Sequence, residues 1–195
     1  MTFVFYLDFR CPFCFAQLDR LQSIAHSATV EPRIVRHDRE IVVPALEPDE
    51  RQRAAMQQYL TRLEAEQFAV PALTLWPNTR APSLWLAAAT AREPDRALKL
   101  AHALYVALWR EGRDISQDRV AERVARTVCT SRLRLEGSEP ELIAQWQRSF
   151  EKLPSAKTPM IQSPHGATLQ GIIPTRRLEA FLRSGRLSDA QEDVC

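Results

Sequence analysis

Phe3-Val4-Phe5-Tyr6-Leu7, then Cys11-Pro12-Phe13-Cys14, then Leu18, Leu21 and Ala25 form the stretch on which the fold turns. The first five residues are aromatic or branched with no polar alternation, as expected of a strand buried on both faces. Cys14, Leu18, Leu21 and Ala25 follow at i, i+4, i+7 and i+11, one buried stripe of a helix. Pro12 suits the first helical position, where a missing N–H costs nothing. A second apolar stretch at Ile34-Val35 completes a strand–helix–strand unit.

Beyond this unit, Pro48 to about Phe150 reads as a series of helices. Ala97, Ala101, Leu104, Tyr105 and Leu108 make one stripe at helical spacing; Val120, Val124 and Val128 make another. Ser116 is the expected N-cap of the second, and Ser138-Glu139-Pro140-Glu141 has the spacing of a capping box. Three prolines and Asn78 between Ala69 and Pro82 predict an extended loop. Met160-Ile161-Gln162 and Ala167-Thr168-Leu169-Gln170 then flank the turn residues Ser163-Pro164-His165-Gly166, a hairpin pattern. A last helix from Pro174 to Leu182 is followed by Gly185. The order is βαβ, helical block, ββα: an α/β fold.

At 195 residues and 45% apolar content, the chain can bury one sizeable core, or one core and a smaller satellite. Its net charge of +2 offers no general attraction for a polyanion. Aromatics are not interleaved with the arginines, so no nucleic-acid partner is expected. No apolar run reaches the ~20 residues of a membrane-spanning helix. The opening residues lack a signal-peptide core and its basic flank, which gives the expectation of a cytoplasmic protein.

A Cys-x-x-Cys alone serves redox or metal chemistry equally well. Here the other cysteines, Cys129 and Cys195, stand apart, so no second pair completes a zinc site. His26, His37, His102 and His165 show no ligand spacing, and no metal is expected. The pair sits instead between a strand and the helix that follows. A thiolate at Cys11 there faces the unpaired N–H groups and positive dipole end of that helix, which lower a thiol pKa. Cys14, one turn in and on the buried stripe, is placed to resolve a mixed disulfide. Cys129 reads as a small buried hydrophobe and Cys195 as a bystander. Arg119, Arg123 and Arg126 read as a solvated helix face. Trp76 and Trp85 flank the predicted loop, with core packing the expected role of both.

Asp8-Phe9-Arg10-Cys11-Pro12-Phe13-Cys14 resembles the active-site segment of the DsbA-like thiol–disulfide oxidoreductases, and most of all the cytoplasmic branch related to the FrnE proteins. Pro77-Asn78-Thr79-Arg80-Ala81 and Gly112-Arg113-Asp114-Ile115-Ser116 resemble later segments of the same relatives. The resemblance implies a thioredoxin fold with an inserted all-helical domain: a thioredoxin-like domain of residues 1–45 and 152–190, a helical domain of 46–151, and a tail of 191–195. It implies catalysis by Cys11 and Cys14 with a cis-proline facing them, for which Thr158-Pro159-Met160 is the matching position; Pro154 and Pro164 are rivals. Thr158 would offer its backbone to a substrate peptide, with Pro12 and Phe13 also in contact. Phe13 replaces the histidine of strongly oxidising DsbA proteins, which implies a potential between about −120 and −270 mV, nearer the reducing end.

The expected partners are thiol- or disulfide-bearing proteins or glutathione, with no cofactor beyond glutathione as a co-substrate. Two other functions remain open. Kappa-class glutathione transferases and 2-hydroxychromene-2-carboxylate isomerases share the fold but typically carry serine at the position of Cys11. A redox-switched peptide-binding protein is the other.

Overall fold

The computed structural model describes residues 1–24, 28–36 and 47–187. Ala25, His26, His37, Cys195, the first expected domain boundary at 45/46 and the tail 191–195 lie outside them. Strand β1 (Thr2–Leu7) leads through helix α1 (Pro12–Ser23) to β2 (Thr29–Ile34). Five helices follow: α2 (Glu50–Ala65), α3 (Arg80–Arg92), α4 (Pro94–Tyr105), α5 (Asp118–Val128) and α6 (Glu139–Glu151). Strands β3 (Met160–Gln162) and β4 (Thr168–Gln170) and helix α7 (Thr175–Ser184) close the fold. The sheet order is β2-β1-β3-β4, with β1 parallel to β2 and antiparallel to β3.

The apolar run of β1 is explained by its two neighbours' faces. Phe3, Phe5 and Leu7 join the main core, and Phe3 meets Phe181 of α7 edge-on at 5.5 Å. Tyr6 points the other way into a smaller cluster with Val35, Phe150 of α6 and Met160. Successive side chains from Phe3 to Leu7 therefore pack on alternating sides, all buried except the half-buried Val4. Pro32 is tolerated because β2 is an edge strand. Cys14, Leu18 and Leu21 are all fully buried on α1. The main core runs without a break from this face of the sheet into α3, α4 and α5, so the helical block and the sheet share their apolar interior.

Several local expectations are corrected. The loop ends at Thr79, and Pro82 lies in the first turn of α3, where the amides have no helical acceptor anyway. Ser116 does not cap α5: Gln117 holds the cap position, and Asp114 accepts the bonds of the turn, from the Ser116 N–H at 3.0 Å and the Ser116 hydroxyl at 2.5 Å. Ser138 makes no capping box either. The Glu139 carboxylate turns back to accept from the Glu136 N–H at 3.0 Å and the Gly137 N–H at 2.9 Å. In both turns a carboxylate, the stronger acceptor, has displaced a hydroxyl. The capping box belongs to α2, where Asp49 and Gln52 bond each other's backbone at 2.7 and 2.8 Å. α4 does not stop at Tyr105 but widens into a π-helical turn, Val106–Arg110.

Candidate active site

The turn between β1 and α1 is tied down at each residue. The Cys11 N–H donates to the Asp8 carbonyl at 2.9 Å, and the Cys11 carbonyl accepts from the Cys14 N–H at 3.1 Å. Cys11 is the N-cap residue with extended backbone, Pro12 occupies the first helical position, and no side chain caps the helix. Cys11 is half-buried and Cys14 fully buried, and both are free thiols. Burial, then the hydrogen bond and charge of Cys11, push the Cys14 thiol well above its ordinary pKa. The two sulfurs are thus unequal: one reaches solvent, and the other is held as a neutral thiol behind it.

The helical block holds this turn from behind. The Tyr105 hydroxyl donates to the Asp8 carbonyl at 2.6 Å, and the Trp109 indole N–H donates to the Phe9 carbonyl at 3.0 Å. The partners are 97 and 100 residues apart in the chain. The π-helical turn sets the angle between Tyr105 and Trp109 that lets both reach successive carbonyls; such turns recur at functional sites. Phe15 stacks parallel on Tyr105 at 5.4 Å and Phe9 packs at 5.2 Å, so the aromatic floor is rigid.

In front of Cys11 lies a cleft of about 890 Å³. Cys11, Pro12 and Phe13 form one wall, and Lys157, Thr158 and Pro159 another. The Thr158–Pro159 bond is cis, the one such bond among the described residues, and the Pro159 carbonyl accepts from the Gly171 N–H at 2.9 Å. Neither Pro154 nor Pro164 borders the cleft. The third wall is α2, whose Tyr59 meets Phe13 edge-on at 5.3 Å and whose Arg62 lies 5.1 Å from the Phe13 ring centre. Trp76 completes the lining, with the Arg10 guanidinium 5.8 Å above its ring.

The cleft's charges are unevenly paired. Asp8 lies 3.6 Å from Arg10 and Glu66 lies 3.0 Å from Arg20, whereas Arg62 and Lys157, both exposed, have no carboxylate partner among the described residues.

Five of the six residues singled out for chemistry or substrate contact therefore line one cleft, and the sixth, Cys14, is buried one turn behind Cys11. Sequence reading missed Tyr59, Arg62 and Tyr105; Trp76 packs against the core as expected and also lines the cleft, and Trp85 is core, as expected. Only an amphipathic α2 with Tyr59 and Arg62 three residues apart hinted at a shared face.

The bystanders stay apart. Cys129 ends α5, buried, and burial lifts its thiol to about 11. His102 faces Asp19 at 3.1 Å, and no group of residues suited to a metal ion occurs among the described residues. Arg119, Arg123 and Arg126 are exposed, and Arg126 pairs with Glu122 at 2.6 Å. No described helix is long and apolar enough to cross a membrane.

The sequence profile of the DSBA-like thioredoxin domain matches residues 2–137. The chain belongs to that family. No curated protein matches the chain. Among solved structures, the cytosolic disulfide reductase DsbM from Pseudomonas aeruginosa, determined with GSH, superposes with a TM-score of 0.69 at 14% identity, covering 94% of this chain and 100% of that one. 2-Hydroxychromene-2-carboxylate isomerase superposes with a TM-score of 0.66 at 17% identity, covering 95% of this chain and 94% of that one. At such identities the likeness establishes a shared DsbA-type thioredoxin fold.

Proposed function

We propose that this chain is a thiol–disulfide oxidoreductase working through Cys11 and Cys14. The observation that carries the reading is the asymmetry of the pair: Cys11 opens to the cleft at a helix N-terminus, and Cys14 lies wholly buried one turn behind it. A thiolate at Cys11 attacks one sulfur of a substrate disulfide, and the departing thiolate takes up a proton. Cys14 then attacks the Cys11 sulfur, the bond to the substrate breaks, and the second substrate thiol leaves. The substrate gains two electrons and the enzyme pair loses them; a thiol donor run through the same steps in reverse restores the dithiol. Thr158 lines the cleft beside Pro159, and in this reading an extended substrate strand runs along it.

The recycling thiol we favour is glutathione, in a cytoplasmic setting. Arg62 and Lys157, two exposed cations without carboxylate partners among the described residues, face one cleft beside Cys11, and glutathione carries two carboxylates around one thiol. DsbM, which shares the fold, was determined with GSH.

The test is the equilibrium of the pair against glutathione buffers, read by thiol alkylation and mass. A two-electron transition, lost in Cys11→Ser and replaced by a stable mixed disulfide in Cys14→Ser, is the expected result. A pair that never closes refutes the reading. Glutathione-dependent conjugation that persists in Cys11→Ser places the chain with the transferases and isomerases instead.

A further inference from the structure

Beside the cleft, past Trp76, lies a second and smaller cavity of about 180 Å³. Trp76 lines both, and α2 runs from one to the other. Met56 and Gln57 border the smaller cavity, and Tyr59 and Arg62, about a turn further along, border the cleft. Pro48, Ala72 and Leu73 close much of the rest. Two of its polar side chains are already committed. The Gln52 side-chain oxygen accepts from the Asp49 N–H at 2.8 Å, and the Arg53 guanidinium donates to the Pro48 carbonyl. No carboxylate is among the residues that line it. What remains to meet an occupant is chiefly the apolar surface of Met56, Ala72, Leu73 and Trp76. A cavity of this size is too small for a free ligand, whose pockets begin at about 300 Å³, but it admits one side chain.

We propose that this cavity is a side-chain subsite of the cleft, taking an apolar side chain such as leucine from a polypeptide substrate whose cysteine reacts at Cys11. This rests on the oxidoreductase reading. Glutathione has no apolar side chain to place there, so the cavity serves the substrate and not the recycling thiol. An extended polypeptide carries its side chains on alternating sides. With the cysteine sulfur directed to Cys11, the neighbouring residues present theirs to the other walls, and α2 with Trp76 is one of them. The two places divide the work. Exchange at Cys11 is indifferent to the sequence around the reacting sulfur, and the cavity supplies a preference for it. A side chain buried there touches none of the reacting atoms, so it binds substrate and transition state alike and acts on the concentration needed for saturation, not on the limiting rate.

The test uses cysteine peptides of one parent sequence, each prepared as a mixed disulfide with thionitrobenzoate. The parent has serine at every position flanking the cysteine, and leucine replaces serine at one position at a time. In a single turnover with the reduced full chain, the Cys11 thiolate attacks the peptide sulfur, the bond between the peptide and thionitrobenzoate sulfurs breaks, and thionitrobenzoate leaves with the electron pair as a coloured thiolate. At one leucine position the half-saturating concentration is expected to fall about tenfold, with the limiting rate unchanged. Ala72→Trp and Gln57→Trp each fill the cavity from an exposed position, one on the loop and one on α2. In both, the leucine and serine peptides are expected to react alike. The absence of a gain at every leucine position, or a gain that persists in either filled variant, overturns the subsite. Colour release no faster in the wild type than in Cys11→Ser overturns the oxidoreductase reading itself.

Discussion

Trp109→Phe tests whether the helical block positions the turn between β1 and α1. The indole N–H donates to the Phe9 carbonyl at 3.0 Å, and both residues are fully buried. Phenylalanine fits the site but offers no donor, so the carbonyl stays out of water and loses its partner, at about 1–3 kcal/mol. The smaller ring also gives up burial worth roughly one methylene, about 0.8 kcal/mol. The sum is about 3 kcal/mol, which for a chain of this length is a fall of about 6–12 °C in Tm. Tyr105→Phe removes the adjacent bond, to Asp8, and is expected to cost about 2 kcal/mol. The double variant should lose less than the sum, because a turn released at Phe9 has less order left to lose at Asp8. Urea denaturation followed by fluorescence and by circular dichroism gives all three values. A Trp109→Phe protein whose midpoint stays at the wild-type value refutes the reasoning, since the bond would then be worth no more than one to water.

Further tests follow from individual side chains. Glu139, only 2% exposed, accepts from Arg92 at 2.6 Å and from two backbone amides; burial alone would raise its pKa, but these donors hold it below the ordinary value. A depressed pKa adds stability above the unfolded-state value that disappears as pH falls through the folded one, so Glu139→Gln should cost about 2 kcal/mol at neutral pH and progressively less in acid. Cys129 has the opposite sign: its thiol rises from 9.0 to about 11, so its contribution holds below pH 9 and is lost between there and about 11. Cys129→Ala should therefore flatten the alkaline decline in stability over that window, which denaturation at a series of pH values reads directly. Phe13→His puts an imidazole beside Cys11 and removes the edge-on contact with Tyr59; a potential raised by about 30 mV is expected in glutathione buffers, equivalent to about 1.4 kcal/mol. Arg62→Ala and Lys157→Ala should each raise the KM for glutathione while leaving attack on an uncharged disulfide unaltered, and equal effects on both substrates would remove the two cations from recognition.

Much of the fold was legible because it is written in short-range signals. A buried strand, a proline at the first helical position and a stripe of Cys14, Leu18 and Leu21 specify β1, α1 and the place of the dithiol between them. The hairpin of Ser163 to Gly166 and the last helix before Gly185 are equally local. The capping residues were less so: Ser116 and Ser138 have the right chemistry, but Asp114 and Glu139 stand within reach of the same turns and bind more strongly.

The sequence by itself determined where the two neighbouring thiols sit and which cysteine lies behind the other, because both depend on a few consecutive backbone angles and on one helical face. Tertiary structure alone decided what surrounds them. Tyr105, Trp109, Tyr59, Arg62 and Trp76 come from helices and loops dozens of residues away, and nothing in their own neighbourhoods distinguishes them from core or surface side chains. Their roles arise only when the shared core packs α2 and α4 against the β1–α1 turn. That packing is a property of many weak contacts summed over the whole interior, so no short stretch of the chain records it.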